Sequence, residues 1–181
     1  WLSFSFVSTV VLLTNYFFEG RERRFIVEQF SSLVSKDILK KLKEDPKSVS
    51  LEGAKAQVTV FFSDLEGFTS FSERLTTKEL VQFLNDYFSP MTDIIVSHNG
   101  CIDKFIGDAI MAVWGVPFDD DRHAEKACLA ALDQQEKIND LSKHLEEKHG
   151  VKVYARMGLA SGEVAAAMTG SNTRKTYTVL G

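Results

Sequence analysis

The feature that most limits the fold is the unbroken run VTVFF at residues 58–62. Consecutive β-branched and aromatic side chains mark a strand covered on both faces. The run ends at Ser63-Asp64, and Gly67-Phe68-Thr69 then turns the chain into a short helix. A second aspartate recurs in a like setting, in DKFIGDAIMAVW. Residues 101–106 and 109–114 read as two strands joined by Gly107-Asp108, with glycine first, as a type II′ hairpin turn prefers. Asp64 and Asp108 should therefore both stand at the rim of a sheet, each beside a glycine that lets a ligand come close.

Around these strands lie helix patterns. Leu80, Phe83, Leu84, Tyr87, Phe88, Met91, Ile94 and Ile95 recur at three- and four-residue steps. Thr76 with Glu79 makes a capping box at their start, and Gly100 stops them. A longer helix is expected from about Asp121 to His149, burying Ala124, Ala127, Cys128, Ala131, Leu132, Ile138, Leu141 and Leu145. Two further strands, 151–160 and 163–169, flank Ser161-Gly162, and a last one covers Thr176–Leu180. The order β-α-α-β-β-α-β-β-β is that of an α+β domain, with helices on one face of a mainly antiparallel sheet.

With 181 residues, the chain has length for one ordinary domain. A formal net charge of −4 argues against a nucleic-acid-binding surface. Cys101 and Cys128 are too few for a disulfide scaffold and read as small buried hydrophobes in a reducing cytosol. Residues 1–18 carry no charge. As a helix they would span about 27 Å at roughly 1.5 Å per residue, close to the roughly 30 Å of a bilayer's hydrocarbon core. Arg21, Arg23 and Arg24 follow, which favours a transmembrane helix with a cytoplasmic C-terminal side. A chain that begins at Trp1 reads as a piece of a larger protein. Residues 19–50 are expected to form a helical connector, interrupted near Ser31-Ser32 and Ser35 and ended by Asp45-Pro46. The remaining segment, 51–181, is the globular domain.

Taken singly, Asp64 could be a helix cap and Asp108 a turn residue. Together they offer hard oxygen ligands for Mg²⁺ or Mn²⁺. The amides of Gly67, Phe68 and Thr69, at a helix start, add an anion cradle. Two carboxylates beside such a cradle point to a metal–polyphosphate complex.

The segments FFSDLEGFTSFSERL, LVQFLNDYFSPM, IDKFIGDAIMAVWGVP and RMGLASGEVAAAMTGSNTRKTYTVLG, in this order and spacing, resemble the catalytic domain of class III nucleotide cyclases. The likeness runs from about residue 55 to the end and implies a ferredoxin-like fold. Residues 1–50 more weakly resemble bacterial members in which the cyclase follows an extracytoplasmic CHASE-type sensor, which implies an inner-membrane protein with a cytoplasmic catalytic domain.

The resemblance also implies roles. Asp64 and Asp108 match two aspartates that bridge a pair of Mg²⁺ or Mn²⁺ ions, with the main-chain carbonyl of Leu65 completing one shell. Gly67, Phe68 and Thr69 match the triphosphate loop, and Arg156 a phosphate-binding arginine. Lys104 matches the adenine-reading lysine, where guanylyl cyclases carry an acidic residue, and Thr178 the second base-reading position. The implied reaction converts ATP to 3′,5′-cyclic AMP and pyrophosphate. Its two sites form between the subunits of a head-to-tail homodimer, with metals held by one subunit and the base read by the other. The other readings are a guanylate cyclase and an inactive dimerisation or nucleotide-sensing module. Lys104, Thr178 and Arg156 could also be an ordinary strand lysine, strand threonine and surface ion-pairing arginine.

The family's pattern continues beyond Gly181 with a helix bearing a ribose-orienting asparagine and an arginine that stabilises the transition state. Losing such an arginine costs on the order of 10³–10⁵ in rate. The chain as given is therefore expected to be nearly inactive, and its parent active.

Overall fold

The computed structural model describes residues 36–44, 53–171 and 175–181. Its elements are α1 (Lys36–Glu44), β1 (Ala54–Leu65), α2 (Phe68–Ser72), α3 (Thr77–Ser97), β2 (Cys101–Ile106), β3 (Ala109–Trp114), α4 (His123–His149), β4 (Ala155–Gly170) and β5 (Lys175–Leu180). The expected transmembrane span 1–18 and most of the connector lie outside the described residues. Among those described, no helix is long and apolar enough to cross a membrane.

The five strands form one sheet in the order β2-β3-β1-β4-β5, antiparallel at every pairing. Its first four strands have the ferredoxin-like arrangement. The central strand β1 earns that place by its run of large apolar side chains, which alternate between faces. Phe61 and Leu65 join the larger core with Trp114, Ile110 and the helices α3 and α4. Val58 joins a second core on the opposite face with Cys101, Val113, Tyr177 and Val179. Helix α3 starts at the expected capping box: the Glu79 amide donates to Thr76 Oγ1 (3.4 Å) and the Thr76 amide to Glu79 Oε2 (2.8 Å). The β2–β3 hairpin also forms as expected, with Gly107 at φ +65° in its two-residue turn.

Three expectations change. Ser161-Gly162 does not divide two strands, because β4 is continuous and pairs with β1 from Ala155 to Ala166. Helix α4 buries Ala127, Ile138, Leu141 and Leu145 as expected, but in its first half Ala130 and Gln134 are buried while Ala124, Cys128 and Leu132 are exposed, Leu132 by 66%. Gln134 is tolerated there because its Nε2 donates to the Met91 carbonyl at 2.8 Å. Cys128 is exposed in that first half, whereas Cys101 is buried. Burial, with Asp103 nearby, pushes the Cys101 thiol up to about 12, so it stays a neutral core group.

The second face of the sheet is not bare. Helix α1 lays Leu42, fully buried, and Leu39 against it, and β5 adds Tyr177 and Val179. Leu42→Ala should therefore cost about 2–5 kcal/mol, as large-to-small changes in a core do. Urea unfolding against Lys40→Ala, an exposed neighbour, checks this. A loss under about 0.5 kcal/mol would mean that α1 is not docked.

Candidate active site

Asp64 is the last residue but one of β1, and the β1–β4 register sets it directly opposite Arg156. Arg156 grips it with two hydrogen bonds, Nε to Oδ1 at 3.1 Å and Nη2 to Oδ2 at 2.9 Å. The pair is open to solvent, with the Arg156 side chain 65% and the Asp64 side chain 44% exposed. Asp108 reaches the same strand end from the β2–β3 turn, where its Oδ2 accepts the Leu65 amide at 2.8 Å. Both aspartates thus stand at one rim of the sheet, as expected, Asp64 within β1 and Asp108 bound to the amide of the next residue.

Just beyond, Gly67 adopts φ +70°, a left-handed conformation that favours glycine, and starts α2. Phe68 and Thr69 follow as its first helical residues. Their amides belong to the first turn and have no acceptor within the helix. Phe68 is anchored edge-on to Phe71, 5.3 Å between ring centroids, and Phe71 continues the contact to Phe83. The loop therefore rests on core aromatics while its amides stay at the surface.

Beneath the rim lies Tyr87, which carried no functional assignment from sequence. Burial pushes its phenol up to about 12, and the negative charges of Asp108 and Asp64 add to the effect. The Ser63 hydroxyl is near enough to oppose that shift, yet neither hydroxyl finds hydrogen-bond geometry. Tyr87 is a neutral floor to the site.

A second cluster joins β2 to β5, the two edges of the sheet. Lys104 Nζ donates to Thr178 Oγ1 at 3.1 Å, so the two residues matched to base reading are in contact. Thr178 donates in turn to Asp103 Oδ2 at 2.6 Å. Asp103 Oδ1 is 3.3 Å from Lys104 Nζ, close enough for an ion pair but outside hydrogen-bond geometry. Asp103 was missed from sequence. The one available signal was a charged residue beside Lys104 in an otherwise apolar strand.

The donor set at the rim suits a hard divalent ion. Among the described residues no group of three His, Cys, Asp or Glu side chains could hold an ion. Further ligands would have to come from the main chain, water or substrate phosphates, as is usual for Mg²⁺. The guanidinium lying across both Asp64 oxygens shows that this carboxylate already draws a cation.

The profile of the family described as "Adenylate and Guanylate cyclase catalytic domain" matches residues 52–181. Adenylate cyclase 1 of Rhizobium meliloti (strain 1021) is 30% identical over 84% of the chain, which spans only 23% of that relative's length. The crystal structure of the adenylyl cyclase CyaB from P. aeruginosa is 33% identical, with TM-score 0.70, over 72% of this chain and 68% of that one. That of the guanylyl cyclase Cya2 is 34% identical, with TM-score 0.69, over 72% of this chain and 66% of that one.

An ion pair this exposed contributes roughly 0.2–1 kcal/mol to stability. Asp64→Ala should accordingly leave the thermal midpoint within a few degrees of the unsubstituted protein by scanning calorimetry. A large drop would make Asp64 a structural residue rather than one kept for a ligand.

Proposed function

The chain belongs to the family of adenylate and guanylate cyclase catalytic domains, and from that premise we propose that its natural gene product is an adenylate cyclase. The reaction would be in-line attack of the ATP ribose 3′-oxygen on the α-phosphorus. A new O–P bond closes cyclic AMP, the bond to the bridging oxygen breaks, and pyrophosphate leaves with that oxygen. The 3′-hydroxyl proton passes to solvent or phosphate, so no side-chain nucleophile is needed.

Similarity does not choose the base, since an adenylyl and a guanylyl cyclase are matched almost equally well. The observation that carries the choice of ATP is the Lys104–Thr178 contact at 3.1 Å. A lysine donor and a threonine acceptor complement adenine, which presents an acceptor at N1 beside a donor at its exocyclic amine. Guanine presents the reverse at those two positions.

The other roles follow from placement. Asp64 and Asp108, with the Leu65 carbonyl, would hold two Mg²⁺ or Mn²⁺ ions at the rim. When bound, such ions lower the pKa of the attacking hydroxyl and neutralise phosphate charge. The Gly67, Phe68 and Thr69 amides would face the triphosphate. Arg156 would leave Asp64 and pair with phosphate, keeping its charge in the site while freeing carboxylate oxygens.

A complete site would take two copies of the chain, with the metal cluster of one facing the base-reading cluster of the other. Support for that arrangement is apolar surface left open on the strand that carries Lys104: Phe105 and Ile106 are 49% and 54% exposed. Phe62 adds to it: on the Asp64 face of β1, it is 46% exposed. Residues 1–18, charge-free and followed by three arginines within six positions, would anchor the catalytic domain on the cytoplasmic side of the inner membrane.

The purified gene product, given Mn²⁺ and ATP, should form cyclic AMP and pyrophosphate, and excess EDTA should stop it. Asp108→Ala should reduce turnover by about 10²–10³-fold, as loss of a principal transition-state contact does. Chromatographic product analysis with ATP and GTP decides between the bases. Cyclic GMP as the main product, or an Asp108→Ala enzyme of normal rate, would refute the proposal.

A further inference from the structure

We infer that Asp103 is a positioning residue that makes Thr178 a pure hydrogen-bond acceptor, and so sets which base edge the site reads. The inference rests on the base-reading role proposed above for Lys104 and Thr178. It starts from an irregularity in the β2–β3 ladder. Ile102 pairs with Ala112 and Lys104 with Met111, so Asp103 is an extra residue in the strand. A bulge of this kind sets two consecutive side chains toward one side, where strict alternation would separate them. Both Asp103 and Lys104 can thereby meet the same threonine.

Burial then makes the arrangement one-directional. The Asp103 side chain is only 3% exposed, while that of Lys104 is 45% exposed. A carboxylate can only accept, so the single hydroxyl proton of Thr178 is spent on Asp103 Oδ2 at 2.6 Å. Lys104 can only donate, and it occupies one lone pair of the same oxygen at 3.1 Å. One lone pair of Thr178 remains, with no proton to offer. Lys104 keeps further N–H groups for a neighbouring acceptor.

A free threonine hydroxyl would turn to suit either a donor or an acceptor. Pinned by Asp103, it suits only a donor. At position 6 of a purine it would accept from the amine of adenine and reject the carbonyl of inosine or guanine, which would face a second acceptor. Discrimination therefore belongs to the triad Asp103–Thr178–Lys104, and Asp103 acts through Thr178 without touching the base.

The test is the ratio of kcat/KM for ATP to that for ITP, whose base differs from adenine at this edge alone, measured on the full-length gene product. Asp103→Asn, whose amide can donate to Thr178 and release its proton, should lower the ratio by about tenfold, the weight of one net hydrogen bond. The double variant Asp103→Leu/Thr178→Asp fills the buried position with an apolar side chain and restores an acceptor at 178. It should recover the ratio, and it decides the matter if the asparagine variant does not fold. Equal losses with both nucleotides, or no recovery in the double variant, would reduce Asp103 to a packing residue. Unsubstituted enzyme that prefers ATP while Asp103→Asn keeps the same ratio overturns this inference alone. Unsubstituted enzyme with no preference for ATP overturns the adenylate cyclase reading and this inference with it.

Discussion

The register between β1 and β4 is the constraint on which the site depends. The two strands pair along their shared length, from Ala54 opposite Ala166 to Leu65 opposite Ala155. Strand side chains alternate with period two, so a slip of one residue would move Asp64 to the face packed against α3 and α4. It would also move the Leu65 amide away from Asp108, which holds the β2–β3 turn to this rim. Such a slip is opposed by both cores at once. Phe61 is fully buried on one face and Val58 on the other, and each would have to exchange environments. The apolar residues of β1 thus fix the position of the Asp64 carboxylate.

Charge at the rim is balanced in an informative way. Asp64 and Asp108 raise the negative potential felt by Tyr87, while Arg156 neutralises Asp64 through an exposed, bidentate contact. An exposed pair of this kind adds little to stability, so stability alone gives no reason for two charges on facing strands. A binding role gives one. A guanidinium is well shaped for either carboxylate or phosphate. It offsets one of the rim's two negative charges and could exchange that carboxylate for a phosphate.

Much of this was legible in the sequence because the signals are local. VTVFF, the Gly107-Asp108 turn and the Thr76–Glu79 box each specify their element within a few residues, and the structure has all three. What could not be read depends on partners far along the chain. Ser161-Gly162 has the composition of a turn, yet Ser161 pairs opposite Thr59 and its Oγ lies 2.7 Å from Thr59 Oγ1, so sheet pairing overrides local preference. The first half of α4 departs from the expected face because Leu132 looks like core and Gln134 does not. A carbonyl on α3, 43 residues away in sequence, makes the glutamine the better-satisfied choice. Cys128 lies in the same first half and is exposed.

Asp103 was hidden for a related reason, and its case shows what a strand bulge can do. Strict alternation in CIDKFI would set Asp103 and Lys104 on opposite faces, so no reading by period two would join them. The bulge breaks the alternation at that step, and the curl of the sheet brings β5 from the far edge to meet it. A buried carboxylate is costly unless its charge is met by hydrogen bonds and an opposite charge. Here Thr178 and Lys104 provide both. Replacing all three by apolar side chains would remove that cost, so stability does not explain the cluster. Its distinguishing property is directional: the proton of Thr178 is committed to Asp103, which leaves an acceptor lone pair on Thr178 beside the remaining protons of Lys104. A surface with that polarity selects between ligands of nearly identical shape by hydrogen-bond sign alone.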